Sequence, residues 1–226
     1  EKRLRELAFL NKGVKINFVD ERLEDGDENK SVVYHYNNGL IDFMHYANAS
    51  KKPIYKDPIY IEDRSDLVEL SVAIQHTDDY AENVFSYVNN IPTSEGGTHE
   101  VGLKSGLTKA FNEIARNMGL LKDKDANLLG EDYREGICAI LAIKMKNVQF
   151  EGQTKGKLGN PEAKNEVENL VYAGLMEYAK TKEAKPVITE IVNKAKGAAK
   201  VREAAKRAKE ITRQKNSVDT YSLVGK

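Results

Sequence analysis

Residues 150–160, FEGQTKGKLGN, combine glycines and lysines in a way that suits the binding of an anion. Lys155 and Lys157 lie among three glycines, and Asn160-Pro161 is a strong start signal for a helix. Backbone N–H groups in a glycine-rich turn and at a helix N-terminus attract negative charge, and a lysine adds a full positive charge. Three interpretations stay open: a solvated surface turn, a phosphate site of this domain, or a loop that reaches into the site of another domain.

This segment does not match the phosphate-binding loop of the common nucleoside triphosphatases. That loop reads G-x-x-x-x-G-K-[ST], and its hydroxyl residue binds Mg²⁺. Here the spacing from Gly152 to Gly156 is one residue short, and Leu158 occupies the hydroxyl position. The sequence therefore predicts no complete nucleotide site built from this segment alone.

No metal site and no self-contained catalytic site are predicted. The acidic segments 25–29 and 123–127 begin like calcium loops, but they lack the glycine at the sixth position and the glutamate at the twelfth. The four histidines show no ligand spacing, and we find no nucleophile–base pair or paired-acid motif. These features favour a binding or coupling module.

Basic residues are concentrated in two places although the formal net charge is zero. Residues 194–215 hold nine Lys/Arg and two Glu, which makes this segment +7. Such asymmetry predicts either a polyanionic partner or a solvated helix face. A second helix, following Gly96-Gly97, carries Lys104, Lys109 and Arg116 away from its apolar stripe, which indicates a DNA-facing surface or an ordinary exposed face.

Composition indicates a soluble globular protein of one large or two small domains. The chain has 226 residues, of which 40% are hydrophobic and 31% charged. No apolar run approaches the roughly 18 residues that a membrane span needs, and no signal peptide is evident. The single cysteine, Cys138, excludes an internal disulfide, lies in an apolar run and is expected in the core of a cytoplasmic protein. Both ends of the chain look like cuts from a longer protein.

The elements that must position these residues begin with a small α/β unit. Periodicity predicts a helix over 1–11, two paired strands over 14–22 and 31–36, and a short helix over 38–50. The segment 51–58 contains two prolines and is interpreted as a linker at a domain boundary.

An α+β fold is predicted beyond the linker, with about four strands and helices on one face. Residues 66–77 alternate as a strand with one buried face, and residues 82–90 are predicted to be the next strand of a meander. A long helix ends at Gly119, and 135–150 is the most hydrophobic strand. The last helix spans 182–215, and its apolar stripe changes from isoleucine to alanine, so its later half either packs closely or lies in solvent.

Four motifs in this chain resemble one protein family. They are RLRELAFLNKGVKI, NNIPTSEGGTHEVGLKSGLTKAFN, GEDYREG and FEGQTKGKLGN, which begin at residues 3, 89, 130 and 150. Together, and in this order, they resemble the B subunits of bacterial type IIA DNA topoisomerases, namely DNA gyrase and its paralogue topoisomerase IV. The resemblance covers essentially the whole chain, and Gln-Thr-Lys after a strand with Glu-Gly-Gly-Thr-His upstream is its most specific part.

The resemblance implies a division of the chain into three parts. Residues 1–52 would be the C-terminal remnant of a GHKL ATPase domain. Residues 53–195 would be the transducer domain, which has the fold of a ribosomal protein domain and includes a left-handed βαβ crossover. Residues 196–226 would be a long basic helix and linker toward the TOPRIM core. The ATP pocket and the DNA-cleaving residues of the family have no counterpart here, so the isolated fragment is expected to be inactive.

Site residues are also implied by the resemblance. Gln153 and Lys155 match the residues that reach the γ-phosphate of ATP held in the neighbouring GHKL domain. Lys104 and Lys109 match positions where the family lines its DNA cavity with basic side chains. Without the ATPase domain, the loop over 152–159 is expected to be mobile or displaced.

The implied cofactors and partners belong to the full-length protein. They are ATP and Mg²⁺, DNA, the gyrase A protein in an A2B2 complex, the protein's own GHKL domain and a second copy of the full-length protein. Neither cofactor is expected on this fragment, whose oligomeric state is left open with a monomer as one alternative. The resemblance favours gyrase over topoisomerase IV, and a non-enzymatic, basic nucleic-acid-binding module is the other alternative.

Overall fold

A small N-terminal unit has the element order that the sequence predicts. The computed structural model describes residues 1–28 and 30–223, with the side chains of the last helix described through Gln214. Helix α1 (Lys2–Leu10) precedes strands β1 (Lys15–Val19) and β2 (Ser31–His35), and helix α2 (Leu40–Ala47) follows. The two strands pair antiparallel, with Lys15 opposite His35.

The main sheet has an order that differs from the predicted meander. Its strands are β3 (Ile59–Arg64), β4 (Val68–His76), β5 (Asn83–Val88), β6 (Ile91–Pro92) and β7 (Ile137–Met145), in the spatial order β3-β4-β7-β5-β6. Strand β7 lies between β4 and β5, antiparallel to the first and parallel to the second. The meander prediction is wrong because the central position goes to the strand that is apolar on both faces.

The sheet therefore has five strands instead of about four. Strand β3 gives no clear strand signal in the sequence because it lies next to Pro58 and because its alternation is short. Only Ile59 and Ile61 are fully buried, and the strand ends in exposed Glu62–Arg64. A short, charged strand of this kind is typical of a sheet edge.

Helices cover both faces of the sheet, whereas the sequence predicts helices on one face. On the first face lie α3 (Thr98–Asn117), α5 (Pro161–Tyr178) and the first half of α6 (Ala184–Leu223), which share one hydrophobic core with Val72, Ile74 and Leu141. The second face carries Ala73, Cys138 and Ile140, which pack with Phe9 of α1 and Phe43 of α2. Cys138 is 1% exposed, which confirms its predicted burial.

The connection from β5 to β7 contains α3 and a short helix, α4 (Gly130–Arg134). Because β5 and β7 are adjacent and parallel, this connection is a βαβ crossover. The left hand that the resemblance implies for it stays a prediction.

The last helix leaves the core a little before the middle of its length. Buried side chains continue to Ala199, and Arg202 makes two hydrogen bonds, of 2.9 and 3.0 Å, to the buried carboxylate of Asp132. From Glu203 to Gln214 every side chain is exposed, so the alanine stripe of this part lies in solvent. The helix is continuous across the predicted boundary at 195/196, and that boundary stays a prediction. None of the helices within the described residues is long and apolar enough to cross a membrane.

Candidate functional site

A β-hairpin holds the Gln-Thr-Lys segment. Strands β8 (Phe150–Glu151) and β9 (Lys157–Leu158) pair antiparallel, and residues 152–156 form the loop between them. Gly152 has φ 78° and Lys155 has φ 55°, and the Lys155 N–H donates to the carbonyl oxygen of Gly152 over 3.4 Å. A lysine in the left-handed region costs about 1 kcal/mol, a strain that often accompanies a functional position.

The side chains at the tip of the hairpin point to solvent. Gln153, Thr154 and Lys155 are exposed. Within the described part of the chain, neither Gln153 nor Lys155 makes a side-chain hydrogen bond or ion pair. Lys157, in contrast, pairs with Glu151 over 2.9 Å. Of the two lysines in this hairpin, Lys155 is thus the one available to an external anion.

The base of the hairpin is attached to its own domain. The N–H of Glu95 donates to the carbonyl oxygen of Gly156 over 2.9 Å, and the N–H of Leu158 donates to that of Gly96 over 3.1 Å. Leu158 is completely buried. Residues 156–159 therefore differ from the expectation of a displaced loop, because backbone hydrogen bonds hold them in place. For the exposed tip at 152–155, mobility stays a prediction.

Asn160 is the N-cap residue of α5, as predicted, but its side chain does not cap the helix. Its Oδ1 accepts a hydrogen bond of 2.6 Å from the N–H of Gln149, and its Nδ2 donates to the carbonyl oxygen of Asn147 over 3.2 Å. The side chain is buried and ties the entrance of the hairpin to its exit. The local pattern at the helix start gave no signal for this long-range role.

The basic residues of α3 lie on its outer side, and each has a partner. Lys104 Nζ is 2.8 Å from Glu82, which also pairs with Arg134 over 3.0 Å, while Lys109 Nζ lies 4.8 Å from the ring centroid of Tyr172. Burial alone would raise the pKa of Glu82, but the hydrogen bonds from Lys104 and Arg134 outweigh it and lower the pKa.

Arg116 has a structural role, because its side chain is hydrogen-bonded to the loop that follows α3. Its guanidinium donates to the carbonyl oxygens of Lys122 and Asp125 and to the side chain of Asn127. It thereby holds the loop that follows α3. Of the three basic residues that the sequence singled out on this helix, Lys104 and Lys109 remain as candidates for a DNA-facing surface.

The tertiary structure places the hairpin at the N-terminal end of α3 rather than beside its basic residues. Helix α3 begins at Thr98, next to the hairpin base. At a rise of about 1.5 Å per residue, Lys104 and Lys109 lie about 9 and 16 Å further along the helix axis. The contact between residues 95–97 and the hairpin was not predicted. The one local signal for it in the sequence is the pair of glycines, Gly96 and Gly97, that directly precedes a helix.

No group of three or more His, Cys, Asp or Glu side chains that could hold a metal ion occurs within the described residues. Residue 29, which ends the first calcium-like segment, lies outside them, as does the side chain of Lys215 in the basic segment. His76 and His99 are buried, and burial lowers the pKa of each to about 4. They are neutral core residues at neutral pH.

Comparison with known proteins agrees with the resemblance seen in the motifs. The family model described as DNA gyrase B matches residues 39–211. The chain belongs to the DNA gyrase B family. Among its relatives, the DNA gyrase B protein of Clostridium acetobutylicum is 46% identical over 226 residues, which cover 99% of this chain and 34% of that protein. The gyrase B protein of Bacillus mycoides is 42% identical over 224 residues, covering 99% of this chain and 54% of that protein.

Solved structures of the family have the same fold. The 43K ATPase domain of Thermus thermophilus gyrase B, in complex with an aminocoumarin, matches with a TM-score of 0.80 and 37% identity, over 93% of this chain and 55% of that one. The topoisomerase IV ATP-binding domain of Francisella tularensis matches with a TM-score of 0.70 and 25% identity, over 89% of this chain and 52% of that one. This chain thus spans between a third and about half of the relatives it matches.

Proposed function

We propose that this chain is the part of a DNA gyrase B protein that couples ATP binding and hydrolysis to DNA strand passage and negative supercoiling. The observation that carries the proposal is the anchored hairpin of a gyrase B family member, whose exposed tip holds a lysine with no ion pair among the described residues. The hairpin base is held by backbone hydrogen bonds, so the tip presents Gln153 and Lys155 outward from a defined position.

Gln153 and Lys155 would contact the γ-phosphate of ATP held by the ATPase domain. ATP and Mg²⁺ would bind in that domain and supply the reacting phosphate and its charge compensation. The ammonium group of Lys155 provides a positive charge, and the amide of Gln153 provides a hydrogen-bond donor. Such groups act more strongly on a phosphate in a site that excludes water. Loss of the γ-phosphate removes the contact, so the loop can release the domain, which makes a two-state switch.

The proposal also covers the division of the chain into three parts and the role of two lysines on α3. Residues 1–52 would complete the ATPase domain, residues 53–195 would form the transducer with its left-handed crossover, and residues 196–226 would lead to the TOPRIM core. Lys104 and Lys109 would face DNA. Their partners are a partly exposed carboxylate and an aromatic ring, and exposed ion pairs are worth about 1 kcal/mol or less, so DNA phosphates can compete for both amino groups.

The assembled enzyme would contain two gyrase B and two gyrase A proteins, bind DNA and act in the cytoplasm. The isolated chain would be inactive, because its site needs the ATPase domain. The alternative is the same region of the corresponding topoisomerase IV protein. Supercoiling of relaxed DNA by the complete enzyme supports gyrase, whereas decatenation without supercoiling supports topoisomerase IV.

The test of this proposal is Lys155→Ala in the full-length gyrase B protein, reconstituted with gyrase A. Removing one preorganised charged donor from a phosphate is expected to lower the ATPase rate by about 100-fold or more, and supercoiling with it. Lys157→Ala is the matched control: it removes a lysine that is already paired with Glu151, and we expect it to retain activity. Wild-type ATPase activity in the Lys155→Ala enzyme would contradict the proposal.

A further inference from the structure

The junction between residues 95–97 and the hairpin requires glycine at one position. Gly97 forms a parallel bridge with Leu158, and its φ is 139°. A Cβ atom built at Gly97 would lie 2.5 Å from both the backbone nitrogen and the carbonyl oxygen of Leu158. Because the contact is with backbone, no change of side-chain rotamer can relieve it. The hairpin can therefore approach this closely only if residue 97 has no side chain.

A buried polar cluster behind the junction attaches it to the main sheet. Thr93 and His99 are buried, and Thr93 Oγ1 is 2.9 Å from His99 Nε2. Ser86 of β5 has its hydroxyl oxygen 2.5 Å from Thr93 Oγ1 and 2.6 Å from the carboxylate of Glu100. These contacts join the strand, the turn and the first residues of α3, so they attach residues 95–97 to the main sheet.

The junction also lies at the start of two closely packed helices. Helix α3 begins at Thr98, directly after Gly97, and α5 begins at Pro161, soon after Leu158. A Cβ atom at Gly102 of α3 would lie 2.3 Å from the carbonyl oxygen of Lys164 in α5, which shows how near the two backbones are. Since no flexible linker separates the hairpin from this pair, a displacement of the hairpin must move the pair or break the junction.

Given the contact of Lys155 with the γ-phosphate under the proposed function, on which this inference rests, we infer that Gly97 is a positioning residue for that contact. Its bridge to Leu158 sets the position of the Gln153–Lys155 loop. The same bridge passes a change in that position to α3, the helix that carries Lys104 and Lys109. Nucleotide state and the DNA-facing surface are thus linked through one backbone contact.

The experiment uses Gly97→Ala in the full-length gyrase B protein, reconstituted with gyrase A. We expect kcat of the ATPase to fall by at least about tenfold, because a misplacement of about 1 Å can cost 100-fold. Stimulation of the ATPase by linear duplex DNA should be lost. Affinity for ADP should stay within about twofold of wild type, because ADP lacks the phosphate that Lys155 contacts.

Gly119→Ala is the matched control, at the other end of the same helix. Gly119 also has a positive φ, 71°, but a Cβ atom there would meet nothing within 4 Å. The control therefore carries backbone strain without the contact to the hairpin. We expect it to retain kcat and DNA stimulation.

A second variant and a second measurement keep the inference testable if Gly97→Ala does not fold. Gly156→Val enters the junction from the hairpin side, where a Cβ atom would lie 2.8 Å from the flexible carboxylate of Glu95. Hydrogen exchange should then be faster at the N–H groups of Glu95 and Leu158, while the middle of α3 stays protected, and DNA stimulation should fall as above.

Three outcomes separate this inference from the function on which it rests. Loss of kcat and DNA stimulation in Gly97→Ala or Gly156→Val, with Gly119→Ala active, supports it. If Lys155→Ala is inactive but a folded Gly97→Ala enzyme shows wild-type stimulation of its ATPase by DNA, the inference about Gly97 is overturned. If Gly97→Ala does not fold, the same result in Gly156→Val overturns it. If Lys155→Ala itself keeps wild-type ATPase activity, the proposed function fails, and the inference fails with it.

Discussion

At the residue scale, two histidines in the core are held neutral by their surroundings. His76 Nε2 donates to the carbonyl oxygen of Tyr133 over 2.8 Å, so its Nδ1 accepts from the hydroxyl of Tyr55 over 3.0 Å. His99 contacts Thr93. Burial disfavours the charged imidazolium and lowers the pKa of both to about 4. Protonation of either ring would place an uncompensated charge in the core.

These two groups predict a loss of stability in mildly acidic solution. In the unfolded chain each histidine has a pKa of about 6.5, so below that pH the unfolded state binds protons that the folded state does not. Their contribution is complete above about pH 6.5 and decreases as the pH falls toward about 4. Between pH 7.5 and 5.5, urea unfolding of the chain should show a loss of about 1 kcal/mol for each histidine.

His99→Gln is expected to remove part of this pH dependence, and His45→Asn, at an exposed position, serves as the control for replacing a histidine. The same slope in His99→Gln as in wild type would show that His99 titrates normally.

At the element scale, the backbones of α3 and α5 approach each other closely at two glycines of α3. Gly102 and Gly106 are one helical turn apart on α3, and both are buried. Cβ atoms there would lie 2.3 Å from the carbonyl oxygen of Lys164 and 2.8 Å from that of Glu168. The close approach keeps the two helices in register at the base of the hairpin, so these glycines are required by packing.

Gly102→Ala should therefore destabilise the protein, by about 1–3 kcal/mol as in other overpacked cores. This is the opposite of the usual effect, since alanine is better than glycine in a helix interior by about 1 kcal/mol. Gly197→Ala in α6 is the matched control, because a Cβ atom there meets nothing within 4 Å, and it should stabilise. Urea unfolding measures both changes, and a shift of the same sign in the two variants would argue against the close packing.

At the scale of the whole molecule, one buried side chain connects the N-terminal unit, the linker and the sheet. Gln75 of β4 is 1% exposed. Its Nε2 donates to the carbonyl oxygens of Tyr55 and Lys56 in the linker, and its Oε1 accepts from the Nδ2 of Asn48 at the end of α2 over 2.9 Å. The second face of β4, which the sequence predicts to be polar and exposed, is thus buried at Gln75. Both the nitrogen and the oxygen of the Gln75 amide are hydrogen-bonded.

Gln75→Ala should cost about 3 kcal/mol of stability, because it removes the oxygen that accepts from the buried Asn48 amide and the donor to the carbonyl oxygens of Tyr55 and Lys56. It should also speed limited proteolysis within residues 51–58. Gln153→Ala makes the same chemical change at an exposed position and should stay within about 0.5 kcal/mol of wild type. Urea unfolding and proteolysis compare the two, and equal effects would mean that Gln75 does not join the units.

Most elements could be predicted because a side-chain period records which face of a segment is buried. Helices α1 and α3 follow from apolar residues three and four apart, and α5 follows from Asn160-Pro161. Periodicity did not predict β3, because this strand is too short and too charged to show an alternating pattern. It also failed for the second face of β4, because the helices that cover that face lie elsewhere in the chain.

The sequence by itself determined the family, the α+β class and the one loop whose glycines and lysines suit an anion, since these depend on residue types in a local order. The tertiary structure alone decided that β7 separates β4 from β5, that Asn160 ties the hairpin instead of capping a helix, and that Gly97 meets Leu158. A local pattern shows how a segment meets solvent but not which distant segment it meets. Those partners are selected only when the whole chain packs.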